Sequence, residues 1–405
     1  MPVSTSAPSP DRPSSFTRLP SLTGMRFVAA VLVFFFHSSL MGPEPINPFS
    51  GDAAETYAQV VSKAGWVGVS FFFILSGFVL TYSARPHDTP RRFIRRRVAK
   101  LFPNHAVTFA AAMILFAAAT TTWRQWLPNL FMVHPWVPRA DTYISVNPPS
   151  WSLGCELFFY LCFPLLYRWI KKISPARLWV WAAGVVAAVI VVPALGYGLL
   201  PGGTMPTGFP VSEVQYWAVY MLPPVRTLEF VLGILLARMV LSGRWIRIPL
   251  VPVVLLLVTG YVLSFQVPWL YGLNATVVIP LALLIPTMAV RDLRGDSSLF
   301  RGRVMLWLGE VSFAFYMVHG VVLTEVRKLI GFDTSFSSAA GAAVILLYLA
   351  VSLGFAWLLH TGVENPAMKR WSKPRHPETT PSVEAAAATS RPSSSEDIQP
   401  QPVGR

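Results

Sequence analysis

The sequence predicts an all-α integral membrane protein, a bundle of about ten transmembrane helices. Three observations carry that prediction. Hydrophobic residues make up 53% of the 405 and charged residues only 13%, about half the ~25% charged fraction of a soluble domain. The apolar residues gather in runs of ~20, the length that crosses a bilayer core as a helix. The basic residues collect in every second segment between those runs, as the positive-inside rule demands of a correctly counted topology.

The elements follow in chain order. Residues 1–20, MPVSTSAPSPDRPSSFTRLP, are rich in Pro and Ser and contain no apolar core, so they read as a disordered tail and not as a signal peptide. Near-continuous apolar stretches then place spans at about 22–41, 65–83, 101–121, 150–170, 177–200, 216–238, 247–266, 269–290, 304–325 and 338–360. These define one membrane domain, 21–373. Residues 374–405 form a second polar tail rich in Pro and Ser. The alternating segments hold 24 Lys and Arg on one side, against five on the other: Lys63, Arg124, Arg139, Arg327 and Lys328. That asymmetry assigns both termini to the cytoplasm; the membrane expected is the plasma membrane. A formal net charge of +14 would otherwise suggest nucleic acid, but clusters between apolar runs form no continuous phosphate-binding face, so the partner they imply is the lipid bilayer. Cys155 and Cys162 are seven residues apart in one run, ~10 Å along a helix and too far for a disulfide.

Charged side chains inside a span cost about 2.5 kcal/mol or more, so each needs a partner or a task. Arg26 and His37 are eleven residues apart in the first span, which returns them to one helix face about 16 Å apart along the axis. Arg26 could snorkel and His37 could bond a neighbouring helix, or His37 could move protons near neutral pH. Glu156, in the fourth span, lies at a similar depth to His37; it is either a protonated acid bonded within the bundle or the group that orients His37. Arg226 and Glu229 follow Pro223 and Pro224 at i and i+3 and read as a neutralised structural pair. Ser312, Tyr316 and His319 form a polar stripe in the ninth span, lining a cavity or joining helices. The second inner loop, RRFIRRRVAKLFP, carries Arg92, Arg95, Arg96, Arg97 and Lys100, which serve topology and lipid contact or hold a phosphorylated ligand. No metal-ligand pattern appears.

Several of these segments, taken in order, resemble the acyltransferase 3 family of integral membrane O-acyltransferases. LPSLTGMRFVAAVLVFFFH resembles the family's opening helix, GWVGVSFFFILSGFVL its second, RRFIRRRVAKLFP its basic segment, NPPSWSLGCELFFYLCFPLL its Ser-Trp-Ser and Glu helix, LGEVSFAFYMVH its Tyr-to-His segment, and VENPAMKRW its Glu-x-Pro end. The resemblance covers about residues 19–373. It implies ten transmembrane helices, no permanently bound cofactor, and acyl-CoA as co-substrate. Transfer goes to a hydroxyl of a sugar or glycosylated acceptor, from surface glycans to antibiotics such as macrolides in an actinobacterial branch. It carries the catalytic role to His37 and the paired cation to Arg26. From the residues themselves, Glu156 is added as the group that orients His37, donor binding falls to Arg26, Arg92, Arg95, Arg96, Arg97 and Lys100, and acceptor contact to Tyr316 and His319. Lys100 stands where the family pattern has a second Arg, keeping the charge without the planar fork. The reading from another class is a proton-coupled secondary transporter, which ten helices and intramembrane charges also suit.

The topology has a direct check: alkaline phosphatase fused after Arg405 should stay inactive in cells while a fluorescent protein at the same place glows. An active phosphatase would overturn the cytoplasmic assignment of the C-terminus.

Overall fold

The computed structural model of the protein describes residues 19–42, 44–85, 88–205 and 208–371. Regular structure among the described residues is helical, apart from one isolated bridge between Phe49 and Phe336. The principal helices are α1 (Pro20–Ser38), α2 (Ala64–Tyr82), α3 (Pro90–Ala112), α4 (Trp151–Ile170), α5 (Leu178–Leu199), α6 (Pro223–Leu241), α7 (Leu250–Leu263), α8 (Val278–Arg294), α9 (Arg303–Ile330) and α10 (Ser338–Leu359). The protein is an all-α integral membrane protein. Among the described residues, eight helical segments are long and apolar enough to cross a membrane. The other two of the expected ten are α6, which carries Arg226, Glu229 and Arg238, and α7, whose 14 residues reach only ~21 Å at 1.5 Å per residue. The tails expected at 1–20 and 374–405 lie outside the described residues, except Leu19 and Pro20.

Two segments differ from expectation for local reasons. The basic run is no loop: it forms the first turns of α3, where Pro90 takes the first helical position and the Thr89 side chain accepts a hydrogen bond from the Arg92 N–H. Arg, Lys, Ala and Leu are good helix formers, and Pro at the first position costs no hydrogen bond. The sixth span is broken at Leu222, where a π turn over Trp217–Met221 ends and α6 begins. Pro223 disfavours helical backbone at the residue before it.

The centre is built by close helix contacts. α1 packs on α2 and α9, and α2 packs on α6. A Cβ added at Gly77 of α2 would overlap the Phe230 carbonyl of α6, and one at Gly233 of α6 would overlap the Ile74 carbonyl of α2. Small residues let two backbones approach this way, which matters in lipid because apolar side chains gain nothing from leaving it. Beside the contact, Arg226 and Glu229 pair at 2.6 Å, both essentially unexposed. The guanidinium lies 4.4 Å from the centre of the Tyr220 ring and 5.1 Å from that of Phe73, and donates to Ser70 at 3.3 Å, while Asn274 donates to Glu229 at 3.3 Å. The pair is therefore structural, tying α2, α6 and the segment before α8. Around this centre, α5 and α10 expose Val180, Leu199, Leu346 and Leu358, the apolar surface that lipid covers.

The axial position of α1 is set from outside the helix. Its cap position is Leu19, which has no side-chain acceptor; instead buried Asp292 of α8 accepts from the Ser21 N–H at 2.8 Å and the Ser21 hydroxyl at 2.6 Å. A carboxylate at a helix N-terminus satisfies orphan donors and complements the dipole.

Gly233→Ala should destabilise the protein by about 1–3 kcal/mol through overpacking, read as a lower melting midpoint in detergent. Gly184→Ala, which meets nothing within 4 Å, should leave the midpoint unchanged or higher. Equal behaviour of the two variants would contradict the close-contact account.

Candidate active site

Two polar centres lie along α1, separated by the length of the helix between Arg26 and His37. The lower one is a cavity of about 130 Å³ whose walls include Arg26 of α1, Arg97 and Lys100 of α3, and Ser152, Glu156 and Tyr160 of α4. The three α4 residues repeat every fourth position and so share one face. Tyr160 donates to Glu156 at 2.9 Å, and the Arg97 guanidinium lies 5.4 Å from the Phe93 ring centre and 6.0 Å from that of Tyr160. Lys100 has Arg26, Arg97, Glu156 and Glu364 as its charged neighbours. Three cations and one lining acid leave the cavity with an excess of positive charge, suited to an anionic or strongly polar ligand. Beside it, Asn104 donates to Glu364 at 3.0 Å, and His360 lies 3.2 Å from the same carboxylate.

Not all of the expected basic group enters the cavity. Arg97 and Lys100 line it; Arg92 is exposed, Arg95 is partly buried, and neither reaches the wall. Arg96 is held by both oxygens of Asp88, with one contact at 3.0 Å. Helical spacing does not by itself make this division, since Arg92 and Arg96 stand at every-fourth-residue spacing from Lys100 and Asn104; Arg96 is taken up by Asp88, Arg92 lies two turns before Lys100, and Arg95 points away from the face of Arg97 and Lys100.

The upper centre is a pair of histidines. His37 Nδ1 lies 3.0 Å from the Val33 carbonyl and 3.1 Å from His319 Nε2, and His319 Nδ1 lies 3.3 Å from the Phe315 carbonyl. A carbonyl only accepts, so each Nδ1 carries the proton, and in a neutral ring each Nε2 is then bare. His319 Nε2 accepts from His37 Nδ1–H. His37 Nε2 is left without a partner among the described residues and free to take a proton. His319 is fully buried against Phe34 and Phe315, while His37 is partly exposed. Tyr316 connects the two centres: it lines the lower cavity, its hydroxyl sits 2.8 Å from Ser152 Oγ, and its ring centre is 5.8 Å from that of His319.

This geometry corrects one expected partnership. Among the described residues no hydrogen bond or ion pair joins Glu156 to His37; Glu156 faces Arg26, Arg97 and Lys100 instead, and the group against His37 is His319. Glu156 follows the face of α4 that fronts the cations, so its level is that of Arg26. The expected stripe also divides. Ser312 turns back to the Gly309 carbonyl at 2.7 Å, whereas Tyr316 and His319 reach the site. Ser152 is an addition that periodicity within one span did not mark out. A third polar group holds the segment between α3 and α4: Asn129 donates to Ser145 and Ser150, His105 bonds the Asn129 carbonyl, and Asn147 donates to the Met317 carbonyl of α9. Within it, burial and the neighbouring His105 hold the His134 imidazole down at about 3.

The family model described as an acyltransferase domain matches residues 19–361. The chain belongs to the acyltransferase 3 family. Among its relatives is the acyltransferase MdmB of Streptomyces mycarofaciens, 40% identical over 91% of this chain and 96% of that protein. The exopolysaccharide production protein ExoZ of Rhizobium meliloti is 26% identical over 65% and 78%. The peptidoglycan O-acetyltransferase OatA of Listeria monocytogenes is 23% identical over 84% of this chain and 55% of its own length. No solved structure gives a significant match. The protein is thus a multi-pass membrane acyltransferase, which decides against the transporter reading. Both polar centres, from Arg26 to His319, fall inside the matched region.

The hydrogen-bond order predicts that the neutral His37 ring carries its proton on Nδ1. Nitrogen-15 NMR of histidine-labelled protein, with His37→Ala identifying the resonance, checks it. A proton on Nε2 of the neutral ring would contradict the assignment.

Proposed function

We propose that the protein is a membrane-bound O-acyltransferase moving a short acyl group, acetyl or similar, from acyl-CoA to a hydroxyl of a carbohydrate-containing acceptor. The observation that carries this reading is the bare Nε2 of His37, positioned above a cationic cavity and backed by His319. Acyl-CoA is a co-substrate here, not a resident group. Its phosphates meet the basic first turns of α3 at Arg92 and Arg95, and the pantetheine arm passes Arg97 and Lys100 toward Arg26 and Tyr316. Arg96 joins this set only when Asp88 releases it. The names of the relatives support acetyl transfer to a glycan; sugars on small molecules such as macrolides present the same hydroxyl chemistry.

In the reaction, His37 Nε2 takes the acceptor hydroxyl proton as the oxygen attacks the thioester carbonyl. The carbon–sulfur bond breaks, the new ester leaves with the acyl group, and His37 returns the proton to the departing thiolate. The imidazolium formed in between shares its Nδ1 proton with Val33 and His319, so His319 takes the supporting role assigned to Glu156 from sequence. Glu156 balances charge among Arg26, Arg97 and Lys100. The membrane is the plasma membrane, with both termini cytoplasmic and the α3 basic turns on that side.

Purified protein incubated with radiolabelled acetyl-CoA and a panel of sugar and macrolide acceptors should transfer label. His37→Ala should lower kcat by ~100-fold or more, the usual size of a lost general base. Arg97→Gln should raise the KM for acetyl-CoA about tenfold, a loss of roughly 1.4 kcal/mol of binding, with kcat little changed. A folded His37→Ala protein with full transfer activity would end this mechanism.

A further inference from the structure

A second pocket, of about 270 Å³, opens at the end of the bundle opposite the cationic cavity. Its walls come from the last turn of α1 (Phe36), the start of α2 (Lys63, Trp66), the segment before α6 (Phe209) and the connection from α7 to α8 (Phe265, Trp269). At roughly 30 Å³ per water molecule the space equals about nine waters, room for one substituted ring. Aromatic walls with a few convergent polar groups are the usual make-up of a small-molecule site.

Lys63 is the unusual member. The residue is 6% exposed, and its ammonium lies 4.4 Å from the Trp66 ring centre and 4.8 Å from that of Trp269. Among the described residues its side chain makes no hydrogen bond or ion pair. The indole faces offset part of the desolvation of the charge, but they leave three N–H donors without oxygen acceptors. A buried donor set aimed into an aromatic pocket calls for a ligand bearing oxygens. The same ammonium occupies both indole faces, so a cationic ligand gains no cation–π contact there and meets a like charge. Phe36 links this pocket to the reaction centre: its ring centre is 5.9 Å from that of Trp66 and 5.0 Å from that of His37.

We propose that this pocket is the acceptor subsite, taking an uncharged sugar ring whose C–H face stacks on the aromatic walls and whose oxygens accept from Lys63 Nζ, so that a neighbouring hydroxyl is presented to His37. The inference rests on the reading that the acceptor carries a sugar, and adds its location and its charge preference. Donor and acceptor then approach the histidine pair from opposite ends of α1.

The test uses the full chain in nanodiscs with acetyl-CoA, a set of neutral methyl hexopyranosides and methyl 2-amino-2-deoxyglucopyranoside as acceptors. The expected result is transfer to at least one neutral glycoside and at least tenfold less efficient transfer to the amino sugar. Lys63→Met should raise the KM for the neutral glycoside tenfold or more, with the KM for acetyl-CoA unchanged and Lys63→Arg recovering most of the loss. Val267→Trp, which fills the pocket from its wall without removing the cation, should raise the same KM and serves where Lys63→Met does not fold. Unchanged glycoside KM in the folded Lys63→Met or Val267→Trp protein overturns the subsite. Transfer of label to sugar-free alcohols alone, or equal use of the amino sugar, overturns the proposed ligand chemistry. Failure to bind or consume acetyl-CoA at all would instead strike the underlying donor reading, so the two failures are told apart.

Discussion

A transmembrane helix can slide along its axis with little change in the burial of its apolar faces, so polar groups work at a given depth only if something fixes the height. For α1 that constraint is the grip of Asp292 on the Ser21 N–H and hydroxyl. Hydrogen bonds to a charged group contribute about 1.5–3 kcal/mol each, enough to select one axial position among closely spaced alternatives. With Ser21 held, Arg26 falls level with Arg97 and Lys100, and His37 falls level with His319. A shift of one helical turn, ~5.4 Å, would separate both sets at once.

Height is not sufficient without lateral closeness, and the small residues supply that. At Gly77 and Gly233 the α2 and α6 backbones touch where any side chain would intervene. The Arg226–Glu229 pair sits in the same neighbourhood and holds Tyr220, Ser70 and Asn274 around it. Such a pair is a poor source of stability in itself, but removing one member leaves an uncompensated buried charge. Its rigidity reaches the upper pocket, because Tyr220 packs against Trp66 at 6.2 Å between ring centres.

The resulting site separates its tasks by depth. Positive charge collects low, at the first turns of α3 and in the cavity they border; the two histidines lie higher, in a setting of aromatic rings. Two neutral histidines in series suit this setting better than a histidine and a carboxylate would. A carboxylate deep among phenylalanines would need its own counter-charge, whereas His319 can accept the His37 Nδ1–H as a neutral group.

Much of this was legible from residue spacing alone. The membrane class, the apolar runs and the shared face of Arg26 and His37 all follow from composition and from periodicity within one helix, as does the structural pairing of Arg226 with Glu229. These are local relations, and the α-helix converts spacing into direction without help from the rest of the chain. What the spacing of one helix does not encode is which helix stands next to it, or at what height. For that reason Glu156 was matched to His37 by its distance from the span's edge, while the tertiary structure turned it to the cations and set His319 in its place. The basic run read as a loop is the start of α3, because capping by Thr89 extends the helix beyond its apolar part. Lys63 counted as a surface charge until residues from four separate segments closed around it. Apolar runs are nearly interchangeable in lipid, so only packing, through close glycine contacts and a few buried hydrogen bonds, decides which polar groups meet.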